Sequence, residues 1–469
     1  MPLIIKFLIS ILLGVCLYFY NEVISVSEIA LQINLMILLV LITLTFLRSK
    51  KGFVFFIIFT MLSDPSSRDL EEFLILPPGT SFLSFNSASD FGAPLCVLYL
   101  IIIFLLRLFQ GKLHFTKLEF IIISTVFCFL VFQTLVKTAV LSESLSFNFI
   151  LSDTRLFIIP LLTYFTLRSI FKNMNINYKR LVGLITQIAV IKSSSVIIAV
   201  IYDFIYLTPK LTINTLPQIY IPIFFAIVFS YRNISIIKVV YTNILFFCVM
   251  RFSRGDIIFF LLDILLLIYI NIRMKIKKVA INGILNLSIL ILALIGVFSY
   301  IMIEINPKLF SFVMWKIRTL VDNDGSSVSA GLRIIEFRNI ISYDFTRILV
   351  GHGLGGYFEF HWFKPQHQLN LSDYSQYQLY EQKFFKPHTF INYMLLKHGI
   401  IGLVVYLSMV FDFFRKAVRL SDNFLFLKCL CVAFAPFALN IYWQPVSLIY
   451  FIVLYYLVNR AHIGKVKHA

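Results

Sequence analysis

Charge is scarce in this sequence. Asp, Glu, Lys and Arg make up 14% of its 469 residues, against about one-quarter in an ordinary soluble domain. A single water-soluble globule of this length is excluded on that ground. Cysteine supplies no disulfide scaffold. All six (Cys16, Cys96, Cys128, Cys248, Cys429 and Cys431) lie within apolar runs and read as packing residues. Metal spacing is missing too, since His361 and His367 have no carboxylate or cysteine cluster around them. No small-x-small cleavage site follows the first apolar run, and no small residue stands just before Cys16. That run therefore reads as a retained span, neither signal peptide nor lipoprotein leader. No internal repeat or low-complexity tract is present.

What fills the chain instead is apolar sequence, 59% of it, with a mean hydropathy of +0.90. It falls into runs of about 16 to 25 residues, long enough to cross a hydrocarbon core of ~30 Å as helices. In lipid a backbone must satisfy its own hydrogen bonds. The expected fold class is therefore all-α, a polytopic transmembrane helix bundle of about 12–14 spans. Spans are expected near 3–20, 30–47, 52–62, 93–109, 118–140, 151–171, 181–207, 216–231, 235–250, 256–271, 283–303, 388–411, 424–440 and 443–458.

Basic residues assign the sides. They follow every second span: Arg48, Lys50 and Lys51; Arg107, Lys112 and Lys117; Arg168, Lys172, Lys179 and Arg180; Arg232 and Lys238; Arg273 to Lys278; Arg415 to Lys428; and the tail from Arg460. By the positive-inside rule these connections and both termini face the cytoplasm. The net charge of +18 serves orientation, so no nucleic-acid partner is needed to explain it. The longest opposite connection divides the chain into a bundle over 1–303, an external loop subdomain over 304–387 and further helices over 388–469.

Polar chemistry gathers on the external side in four places. RFSRGD (251–256) carries Arg251 and Arg254, and SAGLRIIEFRNI (329–340) carries Arg333. The second reads as an amphipathic helix with Ile334, Phe337 and Ile341 on one face. GHGLGG (351–356) is a glycine turn that permits close backbone approach. It belongs to no strand–helix nucleotide unit. KPHTFINYMLLKHGIIGLVVYL (386–407) sets His388 where polar sequence gives way to apolar. Guanidinium forks suit a diphosphate, although arginines near helix ends also snorkel to lipid phosphates. An imidazole, titrating near ~6.5, suits removal of a hydroxyl proton, although an interfacial histidine also serves structure. His398, ten residues on, suits packing or an interhelical hydrogen bond. The aromatic and amide residues of 357–386 suit sugar rings or an interfacial aromatic belt. Lys192 and Asp263 fall near the midplane and suit a mutual pair. Asp153 and Arg155 stand at the outer end of the sixth span, where Arg155 suits a further phosphate contact.

Ser253-Arg254-Gly255, then GLRIIEFRNI with LVGHGLGGYF, then PHTFINYMLLKHGIIGLVVYL, together resemble the O-antigen polymerase and O-antigen ligase superfamily of bacterial inner-membrane glycosyltransferases. The likeness covers residues 250 to 410. Thr389 stands where that family usually has Asn, and Phe337 where it often has Trp. The resemblance implies a periplasmic loop and a glycan donor on undecaprenyl diphosphate. It also implies inverting, metal-independent transfer without a cofactor. Arg254 and Arg333 would hold the diphosphate, and His388 would be the general base. Membrane lipids, a chain-length regulator and a flippase are the partners it implies. The acceptor would be a second lipid-linked repeat unit in a polymerase, or lipid A–core in a ligase. A lipid-linked glycan flippase is the alternative from another class.

Overall fold

The computed structural model describes residues 3–20, 30–63, 94–113, 115–139, 147–172, 176–205, 219–230, 265, 328–365, 368–369, 374, 376–439, 445–464 and 466–467. Helix takes up 81% of the described residues, so this part of the protein is mostly helical. The helices of the first part are α1 Leu3–Phe19, α2 Ala30–Leu47, α3 Ser49–Leu62, α4 Leu95–Phe109, α5 Lys117–Ala139, α6 Phe147–Phe171, α7 Tyr178–Ile205 and α8 Tyr220–Ser230. Later come α9 Val328–Ile341, α10 Phe345–Val350, α11 Gln376–Glu381, α12 Phe390–Val418, α13 Leu425–Phe437 and α14 Pro445–His462. Eleven of the fourteen expected spans fall on these helices, with ends displaced by a few residues at most except at α12, which continues to Val418. The stretches 235–250, 256–271 and 283–303 lie outside the described residues, apart from Leu265. Among the described residues two helices, Asp153–Phe171 and Phe390–Val418, are long and apolar enough to cross a membrane by length and composition.

The helices pack in sequence-distant pairs, α1 on α7, α8 on α13 and α6 on α14. Aromatic residues fill the joints. Phe56 stacks on Tyr99 with ring centroids 3.9 Å apart, and the Tyr99 hydroxyl meets Thr45 Oγ1 at 2.6 Å. One end of the bundle is tied by polar groups. Arg460 donates to the Phe171 carbonyl at 2.7 Å, and Arg168 pairs with Glu119 across α5 and α6. Ile176–Asn177 (β1) lies parallel to Val466–Lys467 (β2). Arg415 and Lys416 belong to that end as well, because Lys416 pairs with Asp412 and reaches Tyr455 of α14.

The opposite end carries the described residues between 328 and 389. Leu332, Ile340, Phe358, Tyr374 and Phe384 pack on Leu395 and Leu396 of α12. Asn339, fully buried, clamps a chain reversal. Its amide donates to the Phe363 carbonyl at 2.7 Å, and its oxygen accepts from the Trp362 and Phe363 N–H groups. The expected helix over 329–340 is present, but it turns its polar face inward. Leu332, Glu336, Asn339 and Ile340 are buried, while the stripe Ile334, Phe337 and Ile341 is exposed.

α12 breaks at Gly399, whose φ of 63° lies in the left-handed region. A break there deprives the carbonyls one turn earlier of their helical donors. The glycine turn supplies replacements: His352 N–H donates to Leu396 O at 2.6 Å and Gly353 N–H to Lys397 O at 3.0 Å. The approach is close enough that a Cβ on Gly399 would lie 2.3 Å from Leu349 O, and one on Gly351 2.5 Å from His398 N. Gly399→Ala is expected to cost about 2–4 kcal/mol, the sum of left-handed strain and overpacking. Gly183→Ala in α7, where an added methyl meets nothing within 4 Å, is expected to stabilise by up to about 1 kcal/mol. Thermal unfolding of the two purified variants checks both.

Candidate functional site

His388 stands two residues before α12, and its orientation follows from how that helix begins. Thr389 caps it, its hydroxyl accepting from Asn392 N–H at 3.2 Å. Thr is among the residues suited to that capping role. The cap aims the preceding backbone at α9. His388 N–H points at both oxygens of Glu336, at 3.1 and 3.0 Å. The imidazole Nδ1 meets Glu336 Oε1 at 2.6 Å.

Glu336 is the centre of this arrangement. Its side chain is wholly buried while that of His388 is 23% exposed. Asn392 Nδ2 reaches Glu336 Oε2 at 3.3 Å, and the Tyr374 hydroxyl donates to Oε1. Tyr374 also sets its ring edge-on to His388, centroids 4.9 Å apart. An unpaired buried carboxylate would be costly, and here the backbone, an amide, a phenol and an imidazole all converge on it.

Arg333 lies one helical turn before Glu336 and is exposed. Asn392 ties its backbone to α12 by donating to the Arg333 carbonyl at 2.9 Å. The two sequence-derived residues Arg333 and His388 are therefore brought to one place through Asn392 and Glu336. Arg254 lies outside the described residues. Arg155 lies in α6, two positions after Asp153.

A second buried charge fastens the site from below. Lys397 and Asp153 form an ion pair of 2.7 Å, with side chains 0% and 3% exposed. Asp153 also accepts from Gly355 N–H at 2.7 Å and from the Tyr393 hydroxyl at 2.6 Å. Lys397 donates to Gly356 O at 2.6 Å. α6, α12 and the glycine turn thus share one polar knot. His398 is buried with neither ring nitrogen hydrogen-bonded and lies edge-on to Phe157, so it packs. Lys192 is fully buried in α7 and donates to Leu62 O at 3.3 Å. Asp263, its expected partner, lies outside the described residues, as does His367. Among the described residues no three His, Cys, Asp or Glu side chains gather as metal ligands.

The sequence matches none of the known protein families and no characterised protein.

Sequence reasoning passed over Glu336, Tyr374, Asn392 and Lys397. Two carried a readable signal. Glu336 falls four residues after Leu332 and four before Ile340, between two apolar residues of one face, and Asn392 falls four after His388. Tyr374 sits in a polar aromatic tract with nothing to single it out.

Removing one member of a buried ion pair strands the other. Asp153→Ala and Lys397→Ala are each expected to cost about 3–5 kcal/mol. The apolar pair Asp153→Leu with Lys397→Met is expected to recover most of that loss. Unfolding midpoints of the wild type and the three variants check it.

Proposed function

We propose that this protein is an O-antigen polymerase, an inverting glycosyltransferase of the bacterial inner membrane. On this reading it joins undecaprenyl-diphosphate-linked repeat units at the periplasmic face. The observation that carries the proposal is the linkage of the Arg333 backbone to His388 through Asn392 and Glu336. The cluster lies at the start of α12, with Arg415 and Lys416 on the last turn of the same helix.

The membrane reading draws support from the surface of the helices. Leu12, Phe19, Met36, Leu39, Leu47, Phe127, Phe132, Val405 and Phe411 are large apolar residues left exposed on α1, α2, α5 and α12. An apolar surface of that extent suits lipid. The placement of basic residues at the end of α12 away from His388 suits the orientation that the positive-inside rule assigns.

In the proposed reaction His388 Nε2 takes the proton of the acceptor hydroxyl as its oxygen attacks the anomeric carbon. The bond from that carbon to the diphosphate oxygen breaks, and configuration inverts. Undecaprenyl diphosphate leaves with its charge met by Arg333 and, from the sequence resemblance, Arg254. The loop aromatics are the natural place for sugar rings. The break in α12 does not favour transport, because His352 and Gly353 N–H groups take its freed carbonyls instead of leaving them for a passing ion.

His388→Ala, Arg333→Ala and Arg254→Ala are each expected to lower polymerisation by about 100-fold or more with expression retained. Glycan ladders on lipopolysaccharide gels read the effect, and normal chain lengths in all three variants would sink the proposal. Deletion of the protein is expected to leave core capped by a single repeat. Naked core with retained lipid-linked polymer would indicate a ligase instead, and donor trapped in the cytoplasm a flippase.

A further inference from the structure

His388 can act as a base only through a nitrogen that carries a lone pair, and a neutral imidazole has one such nitrogen at a time. Which nitrogen it is depends on what the other one touches. Nδ1 touches Glu336 Oε1 at 2.6 Å. That carboxylate already receives the His388 N–H, the Asn392 amide and the Tyr374 hydroxyl. The first two groups can only donate. A carboxylate ringed by donors accepts from Nδ1 as well, so the ring proton belongs on Nδ1. Nε2, at the far edge of a ring whose side chain is 23% exposed, is then the free lone pair.

We propose that Glu336 is the positioning residue for His388. It holds the imidazole in the Nδ1–H tautomer and presents Nε2 to the acceptor hydroxyl. The catalytic part of this inference rests on the transferase reading above. When Nε2 takes the acceptor proton, the ring becomes an imidazolium next to the buried carboxylate. Two opposite charges then replace one lone anion, and the transition state gains what the ground state lacks. Tyr374 and Asn392 keep the carboxylate from turning away, and α9 carries Arg333 and Glu336 on adjacent turns. One short helix thus orients the base and reaches toward the leaving group.

The test separates geometry from activity. Protein labelled with nitrogen-15 histidine is examined by NMR at alkaline pH, with the His388 signal identified by its loss in His388→Asn. The wild type is expected to carry its proton on Nδ1. In Glu336→Gln the amide can donate to Nδ1, so the proton is expected to move to Nε2. Tyr374→Phe keeps the carboxylate and is expected to retain the Nδ1–H form, guarding against a general loss of structure. In proteoliposomes supplied with lipid-linked repeat units extracted from a strain lacking this protein, Glu336→Gln is expected to lose about 100-fold or more in kcat at unchanged KM. An Nε2–H ring in the wild type, or the same tautomer in wild type and Glu336→Gln, would overturn the proposal even if the enzyme were active. Full activity in His388→Ala would overturn the transferase reading, and the catalytic part of the proposal with it.

Discussion

The Asp153–Lys397 ion pair is the interaction on which the rest of this end of the molecule depends. Both groups are out of water, so each requires the other, and their separation fixes the start of α6 against the middle of α12. Asp153 has capacity left after meeting Lys397 and uses it on the Gly355 N–H and the Tyr393 hydroxyl. The glycine turn is thereby pinned to the same point. Once pinned, it can cap the broken turn of α12 with two N–H groups, which makes a left-handed Gly399 tolerable. Without that break, α12 would run past Gly399 as a straight helix and the turn could not sit against it.

Two buried carboxylates lie within this region, and their partners give them different work. Asp153 faces a fixed cation, and no proton needs to move for that pair to be satisfied. Glu336 faces an imidazole, which can take up a proton and give it back. A buried carboxylate beside a fixed cation is a clamp. One beside a titratable ring can stabilise a charge that appears only during reaction. The difference lies in the partner's chemistry, since both carboxylates are almost wholly inaccessible.

Much of this was legible in the sequence, for definite physical reasons. Helices of apolar residues announce themselves through run length, so α2 falls on residues 30–47 as expected. His388 and Arg333 could be singled out because ionisable side chains at the edge of apolar runs are expensive. The inward turn of α9 was not legible, because its apolar stripe Ile334, Phe337 and Ile341 is the stronger periodic signal. That stripe loses to tertiary context: Glu336 and Asn339 each meet several partners contributed by residues 23 to 56 positions away. Lys397 was hidden for the same reason, since Asp153 lies more than 240 positions earlier and no local pattern links them.

A helix that buries its carboxylate and amide and exposes a stripe of Ile334, Phe337 and Ile341 is inside-out by the standards of a soluble protein. It is right side out if its outer neighbour is hydrocarbon and its inner neighbour a polar site. α9 does both along one axis. Arg333 is exposed next to Ile334, and Phe337 and Ile341 continue the stripe, while Glu336 and Asn339 hold the interior. On the proposed reading, that juxtaposition suits a substrate of the same character. Such a substrate has a diphosphate for the guanidinium, a polyprenyl chain for the apolar stripe and a sugar directed toward His388.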